Sequence, residues 1–156
     1  MRLDYAHELP AAVRAMAALE EVVAQSTLEP RLRELVKLRA SQLNGCAYCV
    51  DMHTKDARAI GESEQRLHLV AVWREAPCYT ERERAALAWT EALTLLPETG
   101  APDEAYAELE RTFTPQERVA LTLAIVAING WNRFSVGFRR PVGDYVSPRV
   151  PEAVRA

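Results

Sequence analysis

Apolar residues recur along the chain at three- and four-residue spacings, and β-branched residues never alternate over a strand-length run. That period belongs to helices, so the chain reads as all-α. The first segment, Ala11 to Ala24, is alanine-rich and amphipathic and is entered after Pro10. Ser26 with Glu29 predicts a capping box for a helix from about Glu29 to Leu43. Asn44-Gly45 stops it, since both residues tolerate the left-handed backbone that ends helices. The next helix starts near Cys46 and runs to about Ile60, closed by Gly61, and a shorter one, Ser63 to Trp73, is broken by Ala76-Pro77. Thr80 and Glu83 make a second capping box, opening a helix to about Leu96 that Pro97 ends. Pro102 to Thr112 is a further short helix. Thr114-Pro115-Gln116-Glu117 is the strongest start signal: a cap, proline at the first helical position and glutamate at the third. The helix it launches, Gln116 to Asn129, is apolar nearly all round and is predicted to be the central one. The tail, residues 139–156, holds three prolines and is predicted to be an extended arm.

Composition narrows the class. Glycine is scarce, at six residues, as a helical chain requires. At 156 residues, with no repeat or linker, the chain is expected to be one domain that buries its core without metal or disulfide staples. Nineteen basic and twenty-two acidic side chains give a net charge of −3, without a single-sign block or a basic stripe interleaved with aromatics. Nucleic acid is therefore not an expected partner. The N-terminal MRLDYAHELP carries acids and no apolar run, unlike a secretory signal. The most apolar stretch, Val119 to Ile128, is about half the ~20 residues that cross a bilayer. A cytoplasmic protein with no membrane partner is expected, and there three cysteines are thiols, ligands or redox catalysts rather than permanent cross-links.

Two of those cysteines stand in NGCAYCVDMH, residues 44–53. On a helix, positions 46, 49 and 53 share one face, and Cys49 and His53, at i and i+4, are direct neighbours. The imidazole can take the thiol's proton, and thiolate is the form that attacks. Cys46, in the first turn, feels the positive end of the helix dipole, which favours its own thiolate. Two thiols one turn apart lie near disulfide distance, with strain that makes the bond easy to reduce again, as a cycling pair requires. If Asn44-Gly45 is the bend of a helical hairpin, Glu34 lies roughly 15 Å before it and His53 roughly 12 Å after it. The two then face each other, and a carboxylate there orients the imidazole. Apolar neighbours Leu32, Leu35, Val36 and Leu43 are expected to raise the pKa of Glu34.

A structural zinc held by Cys46, Cys49, His53 and Cys78 is the metal alternative, weakened because Cys78 stands alone in sequence. Haem attachment needs histidine directly after the second cysteine, where Val50 stands. Cys78 reads as a loop or interface residue, His68 as a half-buried core histidine, and Trp73, Trp89 and Trp131 as core or subunit contacts. Asn132 and Arg133 are secondary candidates for the site mouth of a neighbouring subunit.

Glu34, the Cys46-x-x-Cys49-x-x-x-His53 run and the gap between them resemble the core of the alkylhydroperoxidase D-like branch of the carboxymuconolactone decarboxylase family. ELVKLRASQLNGCAYCVDMHTKDARAIGE is close to that core pattern, and ERERAALAWTEALT and AINGWNRFSVGFRRPVG look like later segments of its small members, over roughly residues 15–145. The resemblance implies a compact helical fold, assembly as trimers, dimers or hexamers, and an antioxidant peroxidase without metal, flavin or haem. By similarity Cys49 is the peroxidatic thiolate, Cys46 the resolving thiol, and His53 with Glu34 the proton relay. A hydroperoxide is then the substrate, and an external dithiol or thiol protein the reductant. Alkylhydroperoxidase D itself has a histidine between its cysteines where this chain has Tyr48. That departure keeps a general disulfide reductase with the same dithiol as an alternative, beside a non-enzymatic helical oligomer with a structural metal. The decarboxylases proper lack the cysteine pair, so lactone decarboxylation is disfavoured.

Overall fold

A computed structural model describes residues 1–149 of the chain. Its helices are α1 (Tyr5–Glu8), α2 (Pro10–Ala24), α3 (Pro30–Leu43), α4 (Ala47–Ala59), α5 (Glu64–Leu69, running into a 3₁₀ turn at Val70–Val72), α6 (Glu81–Thr94), α7 (Leu96–Thr99), α8 (Asp103–Thr112) and α9 (Pro115–Phe138). The fold is all-α, with no strand among the described residues.

Helix starts follow the local chemistry in two of the three expected capping boxes. At Thr80/Glu83 and Thr114/Glu117 the threonine hydroxyl and the glutamate carboxylate exchange backbone partners as predicted. Ser26 does not cap. Its hydroxyl donates to the Val23 carbonyl at 2.6 Å, and α3 begins at Pro30 instead. Proline suits a first helical position because its missing N–H would find no partner there. Pro97, expected only to end a helix, sits in the first turn of α7 after α6 has stopped at Thr94.

α9 departs most from expectation. It continues through Gly130 to Phe138, because that glycine serves packing and not termination: Met16 Cε of α2 stands 2.7 Å from where a Cβ would lie. Nor is α9 the central helix. α3 fills that place more fully: between α4, α6 and α9, seven of its 14 residues are buried, against seven of the 24 in α9. Its Leu32 and Val36 join Trp89, Leu109, Phe113, Leu121 and Ile125, while Leu35 and Leu38 join Ala57, Leu67, Val70, Trp73 and Leu87. Each such buried leucine contributes about 1.5–3 kcal/mol. α9 is covered on one side only, leaving Val119 70% and Val126 54% exposed. Its most apolar 18-residue window has a mean hydropathy of 1.3, so by length and composition alone the 24-residue helix could cross a membrane, although its apolar stretch Val119 to Ile128 is only ten residues. It nevertheless packs against α2, α3, α4 and α6, as a core helix does.

Around this frame Glu91 of α6 gathers Arg39 Nε (2.7 Å), Trp73 Nε1 (2.9 Å) and Arg74. Trp73 and Trp89 are buried, as expected. His68 is exposed, correcting its reading as half-buried, because the short α5 turns Leu67 inward and leaves its neighbour outside. The tail is docked as far as residue 149. Lys55 Nζ donates to the carbonyls of Gly143 (3.1 Å) and Tyr145 (2.9 Å), the Tyr145 hydroxyl donates to Asp56 (2.9 Å), and Ser147 is buried. The rest of the predicted arm, residues 150–156, lies outside the described residues.

A candidate dithiol active site

The α3–α4 hairpin is set by two residues acting differently. Gly45 takes the left-handed conformation, φ +63°, which a side chain would strain. Asn44 stays right-handed and uses its side chain instead, donating to the Ala40 carbonyl at 3.0 Å and to Asn132 Oδ1 of α9 at 2.8 Å. The Cys46 N–H then closes the turn on the Ser41 carbonyl at 2.9 Å. Cys46 is thus the N-cap of α4, in extended conformation, and approaches Cys49 from the cap, not from the shared helical face that the spacing predicted.

Both cysteines are free thiols, each 1% exposed, enclosed by Ala40 and Ile128. Cys49 Sγ lies 3.7 Å from Ser135 Oγ. Across the hairpin His53 Nδ1 and Glu34 Oε2 are 2.8 Å apart, both residues 4% exposed, so the register predicted from the bend brings them together. Arg149 Nη1 reaches Glu34 Oε1 at 3.1 Å from the docked tail. His53 Nε2 is buried with no hydrogen-bond partner among the described residues.

The electrostatics differ from expectation at two points. Burial does push the Glu34 carboxyl up, but the hydrogen bond from His53, the electrostatic interaction with that ring and the positive charges of Lys37 and Arg149 outweigh it, so its pKa is lowered. An ionised Glu34 accepts the Nδ1–H of His53, which assigns the lone pair to Nε2. Between the thiols, a hydrogen bond with Cys49 brings Cys46 down to about 6, against burial and with help from Ser135 and Asn132. The same bond, with burial, pushes Cys49 up. The contact between the two thiols thus favours the anion on Cys46 and the proton on Cys49.

A cavity of about 370 Å³ opens beside this pair, lined among others by Cys49, His53, Glu34, Trp131, Arg140 and Arg149. Tyr48, standing where alkylhydroperoxidase D has histidine, is also on its wall, with the Arg140 guanidinium 4.0 Å above its ring. Burial pushes the Tyr48 hydroxyl up, which unsuits it as a base. Among the described residues, one group of donors is compact enough for an ion: Glu34, His53 and Asp56, with ligand atoms within 4.8 Å of one another. It contains no cysteine, and Cys78 packs elsewhere, beside the cluster of Leu67, Val70 and Trp73. The donor set expected for a structural zinc is therefore not assembled.

Sequence reasoning missed three contributors. Asn132, expected to serve a neighbouring subunit, is 1% exposed within this chain and donates to Ser41 Oγ at 3.1 Å. With Ser135 it continues the buried face of α9 through Ile125 and Ile128, a three-to-four spacing that becomes visible once Gly130 is read through. Arg149 carried no signal, since nothing in the sequence ties the tail to α3.

Residues 10–92 match the sequence profile of the carboxymuconolactone decarboxylase family. The uncharacterised protein YdfG of Bacillus subtilis is 42% identical over 135 residues, covering 86% of this chain and 92% of that protein. A solved structure from Agrobacterium tumefaciens, a protein of unknown function described as a candidate antioxidant defence protein AhpD, is 52% identical. It covers 92% of this chain and 99% of its own, with a TM-score of 0.89. The alkylhydroperoxidase AhpD core of a peroxidase-related protein from Ralstonia eutropha superposes with a TM-score of 0.79 over 96% of this chain and 80% of that one. At 23% identity that likeness speaks for the fold alone. Profile, relatives, helical fold and the dithiol hairpin agree that the chain belongs to the carboxymuconolactone decarboxylase family, in its alkylhydroperoxidase D-like branch.

Proposed function

We propose that the protein is a thiol-dependent peroxidase that reduces hydroperoxides. The observation that carries this reading is that Cys49, His53 and Glu34 share the wall of one cavity while Cys46 packs in the same buried cluster as Cys49, off that wall. With Nδ1–H held by Glu34, the unpartnered Nε2 of His53 accepts the Cys49 proton. The Cys49 thiolate attacks the O–O bond and becomes a sulfenic acid, and the displaced alkoxide takes the proton back from the imidazolium. Cys46, already an anion, attacks the sulfenic sulfur; a disulfide forms, and hydroxide leaves as water after protonation. An external dithiol or thiol protein restores the pair. The low pKa of Cys46 thus suits the resolving step, and Cys49 depends on His53 to be activated. Peroxide consumption with a dithiol reductant tests this: Cys49→Ser abolishes turnover, and a variant retaining wild-type rates would refute the assignment.

One observation favours a second reading. Cys46 stands at the N-cap of α4 with its pKa lowered, which is also the arrangement with which a disulfide reductase attacks an external disulfide. Rates on peroxide and on a low-molecular-weight disulfide separate the two, and a far faster peroxide reaction removes the rival. We further propose that the protein is cytoplasmic, where its free thiols stay reduced, and that it is a homo-oligomer packed through the exposed valines of α9.

A further inference from the structure

The two thiols border different openings. Cys49 lines the 370 Å³ cavity together with His53, Glu34 and Met52. Cys46 is absent from that wall and lines a second cavity of about 230 Å³, bounded by Gly45, Val136, Arg139 and Val142. Each cysteine is only 1% exposed, so each is approached through its own opening. Tyr48, Ser135 and Arg140 belong to both walls and stand between the two. The rim of the second cavity combines two half-exposed valines, 46% and 48%, with the exposed Arg139, an apolar collar beside a cation.

We infer that the second cavity is the docking site for the reducing thiolate and that Cys46 is the sulfur it attacks, so that oxidant and reductant reach the pair from separate sides. This rests on the peroxidase reading for the origin of the Cys46–Cys49 disulfide. The reductant thiolate forms a bond to Cys46 Sγ as the bond to Cys49 breaks, and Cys49 leaves as thiolate, taking a proton that His53 relays from solvent through the first cavity. The second thiol of the reductant then attacks its own sulfur in the mixed disulfide and releases Cys46 as thiolate. Two electrons pass to the pair, the reductant ends as a disulfide, and its two protons end on Cys49 and in solvent. Leaving-group acidity alone favours attack on Cys49, because Cys46 is the better leaving thiolate, whereas access and the protonating histidine favour attack on Cys46.

The test treats the two halves of the cycle separately. The Cys46–Cys49 disulfide is made with diamide, and its reduction by dithiothreitol is timed in the wild type and in Val142→Trp and Val136→Trp, both surface replacements that fill the second cavity. Oxidation of the reduced proteins by hydrogen peroxide is timed independently. The expected result is reduction slowed about tenfold or more with oxidation within about twofold of wild type, as a purely access effect demands. During reduction by 2-mercaptoethanol, acid quench and peptide fragmentation should place the mixed disulfide on Cys46. Unchanged reduction in both variants, equal slowing of both halves, or a mixed disulfide on Cys49 would overturn the inference. Failure of peroxide to oxidise the wild type, with reduction still gated by residues 136 and 142, would remove the peroxidase reading and leave the docking site standing.

Discussion

Replacing Cys49 by alanine removes the group that most depresses the Cys46 thiol, and the size of the effect follows from the contact. Cys46 sits at about 6 against an ordinary value of 9.0, chiefly through its hydrogen bond with Cys49, with Ser135 and Asn132 assisting and burial opposing. A hydrogen bond to a charged group contributes roughly 1.5–3 kcal/mol, and one pKa unit is about 1.4 kcal/mol. Cys46 should therefore titrate about one to two units higher in Cys49→Ala, falling at pH 7 from roughly nine-tenths thiolate to half or less. Thiolate absorbance at 240 nm against pH reads this directly, in a Cys78→Ser background that removes the third thiol. A titration indistinguishable between wild type and Cys49→Ala, or a wild type with no thiolate below pH 8, would refute the reasoning. The linkage has a definite sign. A folded-state pKa below the unfolded one stabilises the fold above about 9 and loses that contribution as pH falls through about 6. The thermal midpoint of wild type relative to Cys46→Ala should accordingly rise between those values.

Glu34→Gln keeps the shape but removes the charge facing His53, and should lower peroxide turnover about a hundredfold with the helical spectrum unchanged; near-wild-type rates would exclude the relay. Arg149→Ala removes one of the cations that hold the Glu34 carboxylate ionised, so acid unfolding should begin at higher pH, an effect kept small by the 39% exposure of the arginine side chain. Glu91→Ala leaves the guanidinium of Arg39 and the indole N–H of Trp73 without their acceptor and should destabilise by about 3 kcal/mol in urea unfolding, against which a loss below about 1 kcal/mol would count. Val126→Asp places a charge on the open face of α9 and should yield a smaller particle by light scattering; an unchanged mass would place subunit contacts elsewhere.

The parts of this molecule that the sequence made legible are those governed by neighbours a few residues apart. Thr80/Glu83 and Thr114/Glu117 cap because their partners are three positions away. Glu34 and His53 meet because a two-residue bend relates their heights. The end of α9 was placed nine residues early, at Asn129, because nothing in the sequence shows that Gly130 admits Met16 until α2 is in place. The interior rank of α3 over α9 was hidden for a related reason: hydrophobicity gives what a helix can bury, while packing along its whole length gives what it does bury, half of α3 against seven of the 24 residues of α9. The direction of the Glu34 shift turned chiefly on its hydrogen bond with His53, with smaller help from Lys37 and from Arg149, which is more than a hundred positions distant and joined only by the docked tail.

That last contact orders events during synthesis. The cysteine pair and its histidine are synthesised long before Arg149, so the acid gains this cation, and the cavity this part of its wall, only from the far end of the chain. The dithiol site is thus completed from both ends of the chain's order, its sulfurs supplied early and one of its charges last.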